Sequence, residues 1–129
     1  PAARQELLAA YGGVDVALDT FPYNGGTTTV EALWMGVPVV TLRGDRFVHR
    51  VGASILSTAG LDELIADSED DYVAKVVALA ADGPRRRALR QTQRARLLAS
   101  PLFDGEHFTR DLEGLYRDAW KAWCRGVSN

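Results

Sequence analysis

The sequence predicts an α/β chain: a small parallel sheet whose strands alternate with helices, followed by a helical tail. Short apolar runs recur at 14–19 ("VDVALD"), 38–42 ("PVVTL") and 62–66 ("DELIA"), each too short for a helix and bounded by turn residues. Segments with helical spacing separate them, which implies crossover connections and therefore parallel pairing. From residue 68 onward only helical patterns remain. Three strands make a partial sheet rather than a complete doubly wound domain.

Each element has a local reason. "ARQELLAAY" (3–11) contains good helix formers, and Gly12-Gly13 stops it. The strand over 14–19 leads into a glycine-rich loop, and a helix is expected from Thr28 to Met35, closed by Gly36 with Pro38 just beyond. The second strand, 38–42, is rich in β-branched residues. In "VHRVGASILSTAG" (48–60), Val48, Val51, Ile55 and Ala59 share a helical face that ends at Gly60. Residues 62–66 read as a short third strand. Ser68, with Asp71 three residues on, resembles a capping box, and Val73, Val76, Val77 and Ala80 form the apolar stripe of the helix it opens. Pro84 suits a helix start, "SPLFDGEHF" is a break, and Leu112, Leu115, Tyr116, Ala119 and Trp123 space a final helix that Gly126 closes.

Bulk properties bound the function. At 129 residues, 47% hydrophobic and 25% charged, the chain is ordinary globular material, read as one unit over 1–129. A formal charge of −2 gives no bulk attraction to nucleic acid. No apolar run reaches the roughly 18 residues of a membrane span. One cysteine, Cys124, permits no internal disulfide and fits a reducing, cytoplasmic setting. The chain begins at Pro1 without a signal-peptide pattern and reads as a fragment of a longer protein.

The chemistry concentrates in "FPYNGGTTTVEALWMGVP" (21–38). The loop at 19–27 follows a strand, and in open α/β sheets ligands bind at the carboxyl ends of strands. A helix starting near Thr27 or Thr28 points unpaired N–H groups and its positive dipole end into that crevice. Gly25 and Gly26 carry no side chain to hold an anion off the backbone, and Thr27 and Thr28 add hydroxyl donors. Glu31, one turn in, repels phosphate but can accept hydrogen bonds from a ribose diol. Together they suit a nucleotide with a pyrophosphate. A plainer reading fits the local pattern as well: a threonine N-cap, a Gly-Gly loop and a first-turn acid favoured by the dipole.

"LDTFPYNGGTTTVEALWMGVPVVTL" (18–42) is similar to the donor-binding segment of the O-linked N-acetylglucosamine transferases and Spindly-type proteins. The resemblance continues in "RVGASIL", "GLDELIA", "SPLF" and "LYRDAWKAWCRG", and so covers nearly the whole chain. It implies part of the carboxyl-terminal, donor-binding lobe of a GT-B glycosyltransferase, with a Rossmann-like sheet and tetratricopeptide repeats upstream. Gly26, Thr27 and Thr28 stand at the family's His-Thr-Thr triplet, which receives the donor diphosphate. Asn24 and Gly25 match the Asn-Gly before it, and Glu31 takes the place of the acid that binds the ribose hydroxyls. The implied donor is UDP-GlcNAc and the acceptor a protein Ser/Thr hydroxyl, reached through regions outside this chain. No resident cofactor, nucleic-acid partner or membrane is implied. Gly26 departs from the animal histidine, and the Spindly branch, some of whose members use GDP-fucose, shares that departure. A GDP-fucose donor, a small-molecule acceptor and a degenerate scaffold lobe are the alternatives. Transfer is expected to be inverting and metal-independent, and no Asp-x-Asp motif of the usual spacing occurs. The general base is expected elsewhere, so the fragment alone is expected to be inactive.

Other residues have plainer readings. His49, Arg43 and Arg50 lie near the end of the second strand and are solvated loop or helix-start residues unless they turn toward the crevice. His107 is a surface residue. Six arginines between 85 and 96 read as a solvated helix face or a basic patch meeting another lobe. Trp120 and Trp123 are expected to pack in the core or between lobes, and Cys124 to pack.

Overall fold

A computed structural model describes residues 3–126; residues 1–2 and 127–129, the ends of the single unit expected over 1–129, lie outside it. Its elements are α1 (Arg4–Ala10), β1 (Ala17–Leu18), α2 (Thr27–Trp34), β2 (Val39–Leu42), α3 (Val51–Thr58), β3 (Ile65–Ala66), α4 (Glu69–Ala81), α5 (Gly83–Leu98) and α6 (Gly105–Cys124). The three strands form one parallel sheet in the order β1-β2-β3. Ala17 and Leu18 pair with Val39 and Val40, and Thr41 and Leu42 pair with Ile65 and Ala66. The α/β architecture with a small parallel sheet and a helical tail is therefore present. No described helix is long and apolar enough to cross a membrane.

The core lies between the sheet and α2, α3, α4 and α5. Leu33, Val37, Val40, Leu56, Leu61, Ala66 and Leu97 have no exposed surface. Val39 to Thr41 are buried throughout, as expected of a strand flanked on both sides. Gly36, at φ +79°, closes α2 in the left-handed region, where glycine alone is unstrained.

Four expectations need correction. The first and third strands pair over only two residues each, and 62–64 form a 3-10 turn instead of strand. The buried face of α3 is Gly52, Ala53, Leu56 and Ala59, with Val51 and Ile55 at its margin. In α4 the inward residues are Tyr72, Val76 and Leu79, while Val73 and Val77 face solvent. The helix is rotated because Tyr72 reaches beneath β1, where its hydroxyl donates to the Asp19 carbonyl at 3.0 Å and Phe21 meets its ring edge-on. Ser68 does cap α4, accepting from the Asp71 amide at 3.1 Å, but the Asp71 carboxylate accepts from the amide of Asp67, not Ser68.

Candidate functional site

The end of β1 delivers Asp19 into the interior, 6% exposed. Its Oδ1 accepts from the Gly25 amide at 2.7 Å, and its Oδ2 accepts from the Thr41 hydroxyl at 2.6 Å. The chain between them forms a closed loop. Thr20 donates to the Tyr23 carbonyl at 2.7 Å, and the Asn24 side-chain amide donates to the Thr20 carbonyl at 2.9 Å. The Asn24 backbone amide donates to the Val48 carbonyl at 3.0 Å, tying this loop to the one after β2.

The loop ends at α2. Gly26 is its N-cap, and no side chain caps the helix. Val30 is the first residue whose amide is bonded, to the Gly26 carbonyl at 3.1 Å. The amides of Thr27, Thr28 and Thr29 have no acceptor among the described residues. Thr27 and Thr28 are exposed, whereas Thr29 is buried. The helix start thus offers free N–H groups, two exposed hydroxyls and a positive dipole end, an arrangement that favours an anion.

A cleft of about 180 Å³ opens here, lined by Tyr11, Asp19, Thr20, Gly25, Thr28 and Thr29 among others. Pockets that enclose a drug-sized ligand measure roughly 300–1,000 Å³, so the cleft is one wall of a site. A larger cavity, about 650 Å³, lies elsewhere, against α3 and lined by Arg43, Phe47, Arg50, Ser54 and Ile65 among others. The smaller cleft is the one that adjoins the start of α2, with Thr28 in its wall.

The six candidate residues divide by role. Thr27 and Thr28 present donors. Gly26 is the open cap: a Cβ there would meet nothing within 4 Å. Gly25 directs its amide inward to Asp19, and a Cβ there would come within 2.8 Å of the hydroxyls of Thr28 and Thr29. Close packing of the loop against the start of α2 favours glycine at 25. Asn24 is buried and holds the loop from within, and its Oδ1 has no partner among the described residues. Glu31 is partly open, with Arg4 of α1 at 3.6 Å. That pair is weak, because Arg4 is largely exposed and water screens it, so a ligand hydroxyl can compete for the carboxylate.

The family model of glycosyl transferase family 41 matches residues 2–112. The chain belongs to this family. Over 119 residues it is 50% identical to a probable UDP-N-acetylglucosamine–peptide N-acetylglucosaminyltransferase SPINDLY of Eustoma exaltatum subsp. russellianum, covering 92% of this chain and 13% of that protein. A probable UDP-N-acetylglucosamine–peptide N-acetylglucosaminyltransferase of Arabidopsis thaliana, SEC, is 39% identical over 124 residues, 95% of this chain and 12% of that one. A solved variant of the Thermobaculum terrenum O-GlcNAc transferase superposes with a TM-score of 0.90 at 42% identity, over 99% of this chain and 25% of its own. The family 41 chain described here therefore spans about an eighth of its curated relatives.

Residues outside the motif do much of the positioning. Asp19, which opens the loop, is met by Thr41, Gly52 and Tyr72 from outside it. The sequence signal for Asp19 is an acid closing the apolar run at 14–19. The flanking cations are tied elsewhere. Arg43 donates through Nε and Nη2 to Asp67 at 2.9 and 2.5 Å. His49 packs against Gly44 with Asp45 at 3.6 Å, and Arg50 reaches the Gly44 carbonyl at 3.4 Å. His107 pairs with Asp111 on the surface of α6.

Proposed function

We propose that this chain is the donor-binding part of a glycosyltransferase that transfers N-acetylglucosamine from UDP-GlcNAc to Ser/Thr hydroxyls of proteins. The observation that carries the reading is the uncapped start of α2, with free amides at Thr27–Thr29, exposed hydroxyls at Thr27 and Thr28, and Glu31 one turn in. The chain's family and the activity by which its relatives are named support the donor and acceptor classes.

In the transfer, the acceptor oxygen bonds to the anomeric carbon while the bond from that carbon to the diphosphate oxygen breaks. The acceptor proton passes to a base supplied by another part of the protein. Negative charge grows on the leaving diphosphate, and fixed N–H and O–H donors aimed at it stabilise that charge as an oxyanion hole does. Asn24 and Gly25 shape the turn, Gly26 leaves its outer side open, Thr27 and Thr28 meet the diphosphate, and Glu31 accepts from the ribose hydroxyls. Such a site needs no metal for the leaving group, and the transfer is read as inverting. The acceptor is held by regions outside this chain, including tetratricopeptide repeats, in a cytoplasmic enzyme.

One observation keeps a second donor in view. The space beyond Gly26 is empty, so the position where the resemblance places a histidine adds nothing to the phosphate site here, as in the branch with GDP-fucose users. Incubating the full-length protein that carries this chain with Ser/Thr peptides and either UDP-GlcNAc or GDP-fucose separates the two. Transfer from UDP-GlcNAc is expected. Transfer from GDP-fucose alone moves the assignment to the second donor, and transfer from neither, with no nucleotide-sugar bound, refutes the reading.

A further inference from the structure

The Asp19 carboxylate cannot help a diphosphate by charge, because like charges repel, yet it is buried directly behind the loop that leads into α2. Its surroundings account for it. Oδ1 holds the Gly25 amide and Oδ2 the buried Thr41 hydroxyl of β2. Its own backbone amide donates to Val40 at 3.0 Å, and its carbonyl accepts from Tyr72 of α4. At Gly52, near the start of α3, even a Cβ would overlap Oδ2 and the Thr41 hydroxyl. The residue is therefore held through its backbone by β2 and α4, while its carboxylate is fixed by Thr41 and packed against Gly52 on one side and grips a single backbone amide of the loop on the other.

Resting on the donor-site reading above, we propose that Asp19 is a positioning residue for donor binding. By holding the Gly25 amide inward it fixes where Gly26 begins the helix, and so the direction in which the Thr27 and Thr28 donors point. Without the grip, the loop must be ordered by the donor itself, and the donor binds more weakly while the acceptor does not.

The full-length protein tests this with Asp19→Ala, Asp19→Asn and Thr41→Val, reading donor KM, acceptor KM and kcat, with circular dichroism for folding. Asp19→Ala is expected to raise donor KM about ten- to hundredfold, the equivalent of losing a charge-assisted hydrogen bond, and to leave acceptor KM unchanged. Asp19→Asn keeps an oxygen for Gly25 and can donate to the Thr41 oxygen, so it is expected to restore donor KM to near the wild-type value. Thr41→Val, which loosens the carboxylate from its far side, is expected to raise donor KM by a smaller factor. It decides the matter if the alanine variant does not fold. An unchanged donor KM in Asp19→Ala, or in Thr41→Val where that variant decides, overturns the proposal. So does a fall confined to kcat in proportion to the folded fraction, or an asparagine variant as impaired as the alanine. If the wild-type protein itself binds no nucleotide-sugar, the proposed function fails first and takes this inference with it.

Discussion

Gly52 sits at the second position of α3, where any side chain would overlap the Asp19 carboxylate. Both sides of that contact are fixed, Asp19 by its hydrogen bonds and Gly52 by its helix, so the clash has no soft direction. Gly52→Ala is expected to destabilise the chain by about 1–3 kcal/mol, the usual cost of overpacking a filled interior, as a lowered urea midpoint at unchanged slope. Tyr72 supplies a pH signature at the same hub. Burial, with the Asp19 charge as a lesser cause, raises its pKa above the ordinary tyrosine value. Below about pH 10 the phenol is neutral in both folded and unfolded chains, and its contribution to stability is complete. Above that pH the unfolded chain ionises first, so stability falls until the folded value is passed. A denaturation series in alkaline buffers is expected to show this decline in the wild-type chain and a shallower one in Tyr72→Phe. At neutral pH that variant loses about 1 kcal/mol with its hydrogen bond to Asp19.

Among the elements, α5 carries more than its sequence indicates. Its arginines read as a solvated face, and five of the six are exposed, yet three of the six also reach back to carbonyls at the ends of other helices. Arg94 donates to the Trp34 carbonyl at 3.0 Å and lies 4.9 Å over its ring, Arg96 reaches Gly60, and Arg86 reaches Leu79 and Ala80. Cations there satisfy orphan carbonyls and complement the negative helix ends. Gln93, fully buried, donates to both Leu33 and Val37. In Gln93→Leu the Val37 carbonyl, just past α2, loses its donor, while the Leu33 carbonyl keeps the Gly36 amide at 3.0 Å; a loss of about 1–3 kcal/mol is expected, measurable by thermal or urea unfolding. The strand and helix order was legible because apolar runs and helical spacing are local properties. What local spacing could not carry is which side of a helix turns inward. In α4 the valines at 73 and 77 suggested one face, but the long-range bond from Tyr72 to Asp19 set another. The candidate site was legible in the same partial way. Threonines at a helix start can be read along the chain, whereas the carboxylate that aims them acts across 22 residues to Thr41.

On the scale of the whole molecule, α6 has no core to join. Leu115, Tyr116, Trp120 and Trp123 are each about two-thirds or more exposed, and Cys124 is exposed as well, so within the described residues these side chains do not pack in the core, and, of the two expectations for the tryptophans, packing between lobes is the one left open. Leu18 on β1, an edge strand of this sheet, is 58% exposed in the same way. Apolar surface of this extent marks an interface, and the chain spans only 13% of the Eustoma relative. Amide exchange is expected to be fast across the α6 face in the isolated chain and markedly slower in the full-length protein. Equal rates in both would leave the face without a partner in the polypeptide.

The central claim is that the start of α2 binds a nucleotide-sugar diphosphate, and calorimetric titration of the full-length protein with UDP-GlcNAc tests it most directly. Thr28→Ala removes an exposed hydroxyl donor and Glu31→Ala the acceptor one turn in. Each variant is predicted to bind more weakly by about 1–3 kcal/mol, the range for a lost hydrogen bond to a charged group, with the fold retained. If both variants bind UDP-GlcNAc as tightly as the parent protein does, the donor does not sit at this helix and the assignment is wrong.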